Sequence, residues 1–120
     1  EKWQRIADRL RMNGMRVVQT GVRGSQVLQD CVNLTGATSF RGAAAVVKLA
    51  RLLIVSEGGM AHAANAVGTP AVVVVTGFTH PTMTAYPEHT NVWIGKDHGP
   101  CGKKVVCSDC ENEAQSHDPE

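Results

Sequence analysis

Glu57, Gly58, Gly59 and His62 are the residues of this 120-residue chain whose types and spacing suit chemistry. The two glycines have no Cβ, so an anion can approach their backbone closely. They stand directly before an alanine-rich segment, and the N–H groups that open a helix there have no partners inside it. Together these features make a phosphate seat at a helix N-terminus. His62 lies three residues past Gly59, in the first turn and able to face the same anion; a structural hydrogen-bonding role is its competing reading. Glu57 stands at the end of the preceding strand, where a carboxylate is directed either at a bound ligand or into solvent. For the stretch as a whole the plain alternative is a tight turn with no ligand, because Gly-Gly between strand and helix is common.

The elements that must position these residues are legible around them. Leu52 to Val55 is an apolar run, Gly68 stops the alanine-rich helix, and Ala71 to Val75 is a second apolar run. Uninterrupted apolar runs joined by a short crossover helix predict parallel strands covered on both faces. The fold class is therefore α/β, an open parallel sheet with helices on both faces, and its strand ends are where ligands bind.

The remainder of the chain fits that class. Trp3, Ile6, Ala7 and Leu10 fall at i, i+3, i+4 and i+7, predicting an amphipathic helix over about residues 2 to 12 that Asn13-Gly14 ends. Met15 to Gln19 reads as a buried strand leaving through a loop over residues 20–24, with Thr20 and Gly21 at the same sheet edge as the Gly-Gly turn. Ser25 caps a short helix to Asp30, and Cys31 to Leu34 is a strand in which Cys31 is a small buried hydrophobe. Ser39 is the N-cap of a helix whose apolar face is Phe40, Ala43, Ala44 and Val47. Residues 76–82, with Thr76 and Gly77, form another loop at the ligand edge; residues 83–90 are irregular, and Asn91 to Ile94 is a last strand.

Composition narrows the function classes. A formal charge of +1 with interspersed signs gives no basic stripe, and two Trp, two Phe and one Tyr offer few platforms for base stacking, so nucleic acid is not the expected partner. No apolar run approaches the roughly 20 residues of a membrane span, and no signal peptide heads the sequence, which reads as a soluble intracellular domain. His98, Cys101, Cys107 and Cys110, with a C-x2-C knuckle, are compatible with a tetrahedral, structural Zn²⁺ site; free thiols and a disulfide remain alternatives. His80 and His89 sit in polar loops and read as surface residues, and the stretch from Glu111 reads as a polar tail.

Beyond these local readings, Val55 to Ala66 followed by Gly68-Thr69-Pro70 resembles the V-x-D-(S/T)-G-x-x-H-x-A-x-A…G-x-P pattern of glycosyltransferase family 9, the ADP-heptose:lipopolysaccharide heptosyltransferases and their relatives. Asn33-Leu34-Thr35-Gly36-Ala37-Thr38-Ser39 is similar to the family's N-L-T-G-x-(T/S)-S entry to the preceding helix, and Thr76-Gly77-Phe78 stands where the family has an F-G-P or G-G-F loop. The likeness runs from about residue 3 to residue 110.

The resemblance implies a two-domain GT-B fold of which this chain is the Rossmann-like, C-terminal, donor-binding half, over residues 1–97, followed by a Cys-rich segment and polar tail over residues 98–120. It implies that Gly58, Gly59, Met60 and His62 hold the diphosphate of an ADP-heptose-like or other nucleotide-sugar donor, with Glu57 directed at the transferred sugar. Transfer would be an inverting displacement that needs no metal cofactor. The acceptor, lipopolysaccharide or another glycolipid or polysaccharide, would be held by an N-terminal domain that also carries the catalytic base, so no residue here is assigned as catalytic. Lys2-Trp3-Gln4 lacks the spacing and proline of the family's K-x-W-P segment, so the first strand and that domain are expected to lie outside this stretch. A cytoplasmic location, peripheral at the inner face of the bacterial inner membrane, follows from the same likeness. Glu57 replaces the family's Asp and Gly58 its Ser or Thr, which removes a hydroxyl contact and asks more of the backbone. A GT-B-type sugar-nucleotide epimerase, and a non-catalytic nucleotide-binding or zinc-stabilised interaction module, are the competing functions.

Overall fold

A computed structural model of the chain describes residues 2–75 and 80–93. It is an α/β protein of parallel sheets and helices, as the sequence predicts, and it divides into two compact units, residues 1–49 and 50–120.

The first unit runs α1 (Lys2–Met12), β1 (Val18–Gly21), β2 (Val32–Thr35) and α2 (Phe40–Leu49). Its two strands pair in parallel from Val18↔Val32 to Gly21↔Thr35. This register moves the first strand along from residues 15–19, and Thr20 and Gly21, expected in a loop, are ladder residues. Pairing with β2 decides the boundary, since the ladder continues through the Gly36 N–H to the Gly21 carbonyl at 2.8 Å. The expected helix from Ser25 to Asp30 does not form. Two glutamine side chains engage that backbone instead: Gln19 accepts from the Leu28 N–H and donates to the Gln26 carbonyl, and Gln4 does the same with the N–H and carbonyl of Gln29. Backbone groups satisfied in this way need no helical partners.

The Gln4 bonds tie α1 to this stretch. Its face toward residues 29–30 carries Gln4 and Arg11, the latter 3.4 Å from the Asp30 carboxylate, with Ala7 buried between them; Trp3 and Ile6 of the apolar stripe stay exposed. α1 ends at Asn13-Gly14 as expected, with the Gly14 N–H on the Arg11 carbonyl at 2.8 Å. In β2, Asn33 Oδ1 accepts from both the N–H and the hydroxyl of Thr35, so this part of the Asn-Leu-Thr-Gly motif builds the strand exit. Ser39 caps α2 through its hydroxyl on the Gly42 N–H at 3.2 Å. Ala43 and Val47 of the predicted face are buried and Ala44 half-buried, but Phe40, at the helix's first position, is exposed. Cys31 precedes β2 rather than lying in it and is half-buried, its thiol 3.3 Å from the Gln29 carbonyl.

The second unit runs β3 (Leu53–Ser56), α3 (Gly59–Val67), β4 (Ala71–Val75), α4 (Pro81–Thr84) and β5 (Thr90–Trp93), with strand order β3-β4-β5 and every pair parallel. The predicted strand, turn, helix and strand around the Gly-Gly pair form within a residue of their expected limits. Small side chains set the packing. Ala61, Ala63 and Ala64 of α3 are buried where the helix lies on β3 and β4, and Ala71, Val73 and Val75 of β4 are buried with them. Burial of Val73 and Val75 stabilises the unit by about 1.5–3 kcal/mol each. One turn of helix, α4, forms in the region expected to be loop and irregular chain. Pro81 supplies its first position and the His80 ring accepts from the Thr82 N–H, a cap that no periodicity reveals.

Gly68 ends α3 at φ 75°, with its own N–H on the Asn65 carbonyl and the Thr69 N–H on the Ala64 carbonyl at 2.9 Å. This is the double-bonded helix stop that needs a left-handed residue. A Cβ at Gly68 meets nothing within 4 Å, so a substitution there tests backbone conformation alone. Gly68→Val is expected to destabilise the protein by about 1–2 kcal/mol, and Gly68→Asn by clearly less, because Asn tolerates this conformation. Urea denaturation of the two variants beside the parent measures the difference.

Candidate diphosphate-binding turn

β3 delivers the chain to the candidate site in a fixed direction. Its ladder with β4 runs through Ser56↔Val74 and closes with the Glu57 N–H on the Val74 carbonyl at 3.0 Å. Glu57 is thus held to the sheet by its N–H, and it is half-buried at the strand's carboxyl end. Gly58 then turns the chain with φ 148° and ψ −169° and stands as the N-cap of α3 without any side-chain cap. Its carbonyl takes the Ala61 N–H at 3.0 Å and, more weakly, the His62 N–H at 3.5 Å, so the first turn closes tightly. The N–H groups of Gly59 and Met60 head the helix, where no carbonyl of the same helix lies ahead of them. Gly58 and Gly59 are exposed and Met60 is half-buried.

His62 is exposed, one turn into α3, so the ring is not a core histidine. It is held by a partner that sequence reasoning missed. Nδ1 of His62 lies 2.9 Å from the Tyr86 hydroxyl, and the two rings meet edge to face at 5.6 Å and 81°. Tyr86 in turn meets His89 at 5.6 Å and 69°. His89, expected at the surface, is buried, with Nε2 3.4 Å from the Ala61 carbonyl and Nδ1 without a partner among the described residues. Ala61 and His62 are consecutive, so residues 86–89 grip the first turn of α3 by backbone and side chain together. The stretch Ala85-Tyr86-Pro87-Glu88-His89 has no periodicity, and the one signal available was that it holds the chain's single tyrosine. His80, as expected, is exposed.

The turn therefore offers the N–H groups of exposed Gly59 and half-buried Met60 at the helix head, and an exposed imidazole one turn on that Tyr86 holds. A concavity of about 360 Å³ lies elsewhere, lined by Asn65, Gly68, Thr69, Pro70, Glu88 and His89 at the far end of α3, about 13 Å along the helix from Gly58. Thr20 and Gly21 belong to the β1 ladder of the first unit, and the turn belongs to the second. Thr76, Gly77, His98, Cys101, Cys107 and Cys110 lie outside the described residues. Among the described residues no group of three or more His, Cys, Asp or Glu is arranged to hold a metal ion, and no helix is long and apolar enough to cross a membrane.

Comparison with known proteins places the chain in a family. The family model for glycosyltransferase family 9 (heptosyltransferase) matches residues 1–115, and the chain belongs to that family. A search of curated proteins and one of solved structures found no match.

The Gly58 backbone conformation lies in a region that only glycine populates readily, and side chains forced into such regions cost about 1–3 kcal/mol. Space is not the obstacle, since a Cβ there meets nothing within 4 Å. Gly58→Ser is accordingly expected to lower stability by about 1–3 kcal/mol in chemical denaturation, although serine is a good N-cap elsewhere. An unchanged midpoint would mean that the turn adopts another conformation.

Proposed function

We propose that this chain is the donor-binding part of an inverting glycosyltransferase, in which the head of α3 holds the diphosphate of a nucleotide sugar and stabilises it as the leaving group. The observation that carries the reading is the exposed Gly58-Gly59 turn at the carboxyl end of β3, with the His62 ring fixed beside it, in a member of glycosyltransferase family 9. A nucleotide-sugar diphosphate carries about two negative charges, which suit helix-heading N–H groups and an imidazole donor. Glu57, held at the end of the ladder, is the group placed for the transferred sugar. Donors fixed before the reaction stabilise the departing diphosphate without reorganising, and no metal is needed for that step.

The openness of the turn favours a shared site. Gly58, Gly59 and His62 are all exposed, and transfer to an acceptor rather than to water requires that a second surface close over them. In this proposal an acceptor domain supplies that surface and the catalytic base. The acceptor itself is lipopolysaccharide or another surface glycan, assembled at the cytoplasmic face of a bacterial membrane.

Isothermal titration with ADP and UDP tests the seat. His62→Ala removes one donor worth about 1.5–3 kcal/mol if charge-assisted, so affinity is expected to fall roughly tenfold to a hundredfold. Because the ring is exposed, the ligand-free protein should keep its circular dichroism spectrum. Gly59→Val, which puts a branched side chain at the head of the helix, should abolish binding. Unchanged affinity in His62→Ala, or no binding of either nucleotide by the parent, would sink the assignment.

A further inference from the structure

The contact between His62 and Tyr86 has a direction that matters for the chemistry of the turn. Imidazole in its neutral form has one nitrogen that donates and one that accepts, and the bond made by one nitrogen decides the role of the other. The phenol O–H is the stronger donor of the pair and the imidazole nitrogen the stronger acceptor. At 2.9 Å, a Tyr86 hydroxyl that donates to Nδ1 leaves the ring proton of a neutral imidazole on Nε2.

We propose that Tyr86 is a positioning residue for His62, fixing the tautomer and plane of the imidazole so that Nε2–H is the donor presented to the diphosphate. This rests on the reading of the α3 head as a diphosphate seat. The placement of Tyr86 is itself built in. Asn91, in β5, donates through Nδ2 to the carbonyls of Tyr86 and His89 at 3.0 and 3.1 Å. The His89 N–H closes a turn onto the Tyr86 carbonyl at 3.1 Å, and the His89 ring reaches the Ala61 carbonyl of α3. The chain of support thus runs from a sheet residue, Asn91, through the 86–89 turn to the hydroxyl that holds His62. Without it, an exposed histidine on a helix surface would sample both tautomers and several rotamers, and each anion-binding event would have to order it.

Three proteins, Tyr86→Phe, His62→Ala and the double variant, read against the parent by titration with ADP and UDP, test the proposal. Phe keeps the edge-to-face ring contact and removes only the hydroxyl. Tyr86→Phe is expected to weaken nucleotide binding about threefold to tenfold, the net value of one neutral hydrogen bond, and to add nothing in the His62→Ala background. Imidazole nitrogen NMR of the ligand-free parent, at a pH above the usual titration range of histidine, gives a readout that needs no variant. His62 is expected in the Nε2–H form, with loss of that preference in Tyr86→Phe. If His62→Ala weakens binding but Tyr86→Phe binds as the parent does, the positioning role is overturned and the seat stands. An Nδ1–H tautomer in the parent, or an equal loss from Tyr86→Phe with and without His62, overturns it as well. If His62→Ala changes nothing, the seat fails first.

Discussion

The hydrogen bond from the Glu57 N–H to the Val74 carbonyl, 3.0 Å long, is the constraint on which the candidate site depends. Among the described residues it is the last rung of the β3–β4 ladder, and it holds the chain to the sheet one residue before the turn. One residue later the backbone must leave the sheet plane and start a helix, and Gly58 does so at φ 148° without a side-chain cap. A helix that starts with its first donors uncapped and exposed would be a liability for stability alone. At the head of α3 the same donors are what an anion binds. Stability and binding therefore make opposite demands on Gly58.

Alanine spacing makes this start rigid. Ala61, Ala63 and Ala64 bring α3 close to β3 and β4, with Ala71, Val73 and Val75 buried opposite. Alanine favours the helix intrinsically and loses no side-chain freedom on burial, so nine residues hold as α3 despite a glycine at the head. The core is thereby thin, made of small side chains, and polar contacts carry a larger share of the order around it. The 86–89 turn is the clearest case. His89 is buried, with Nδ1 unpartnered among the described residues, while its other nitrogen, its ring and its N–H tie Tyr86 to α3. A buried polar group of this kind fixes a geometry more than it stabilises a fold.

The first unit shows the same preference for polar fastening. Gln4 and Gln19 hold residues 26–29 as irregular chain where a short helix was expected, and on α1 it is Ala7, rather than Trp3 or Ile6, that is buried. Asn33, in the Asn-Leu-Thr-Gly motif that resembles the family's, is occupied with the backbone and hydroxyl of Thr35. A motif can mark family membership through a turn that must be made as readily as through a ligand that must be held.

The sequence by itself determined the strand, turn, helix and strand from Leu53 to Val75, the ends of α1 and α3, the Ser39 cap and the family, because each rests on local rules: apolar runs, helical periodicity, capping chemistry and glycine at helix stops. Only the tertiary structure decided what depends on pairing between distant residues. The register with β2 drew Thr20 and Gly21 into a strand, two glutamines outcompeted a weak helix after Ser25, and Tyr86 and His89 came onto α3 from a segment with no pattern. Hydrogen bonds across 24 and 28 residues leave no trace in local periodicity, since the chain between them is free to take many courses until the sheet closes.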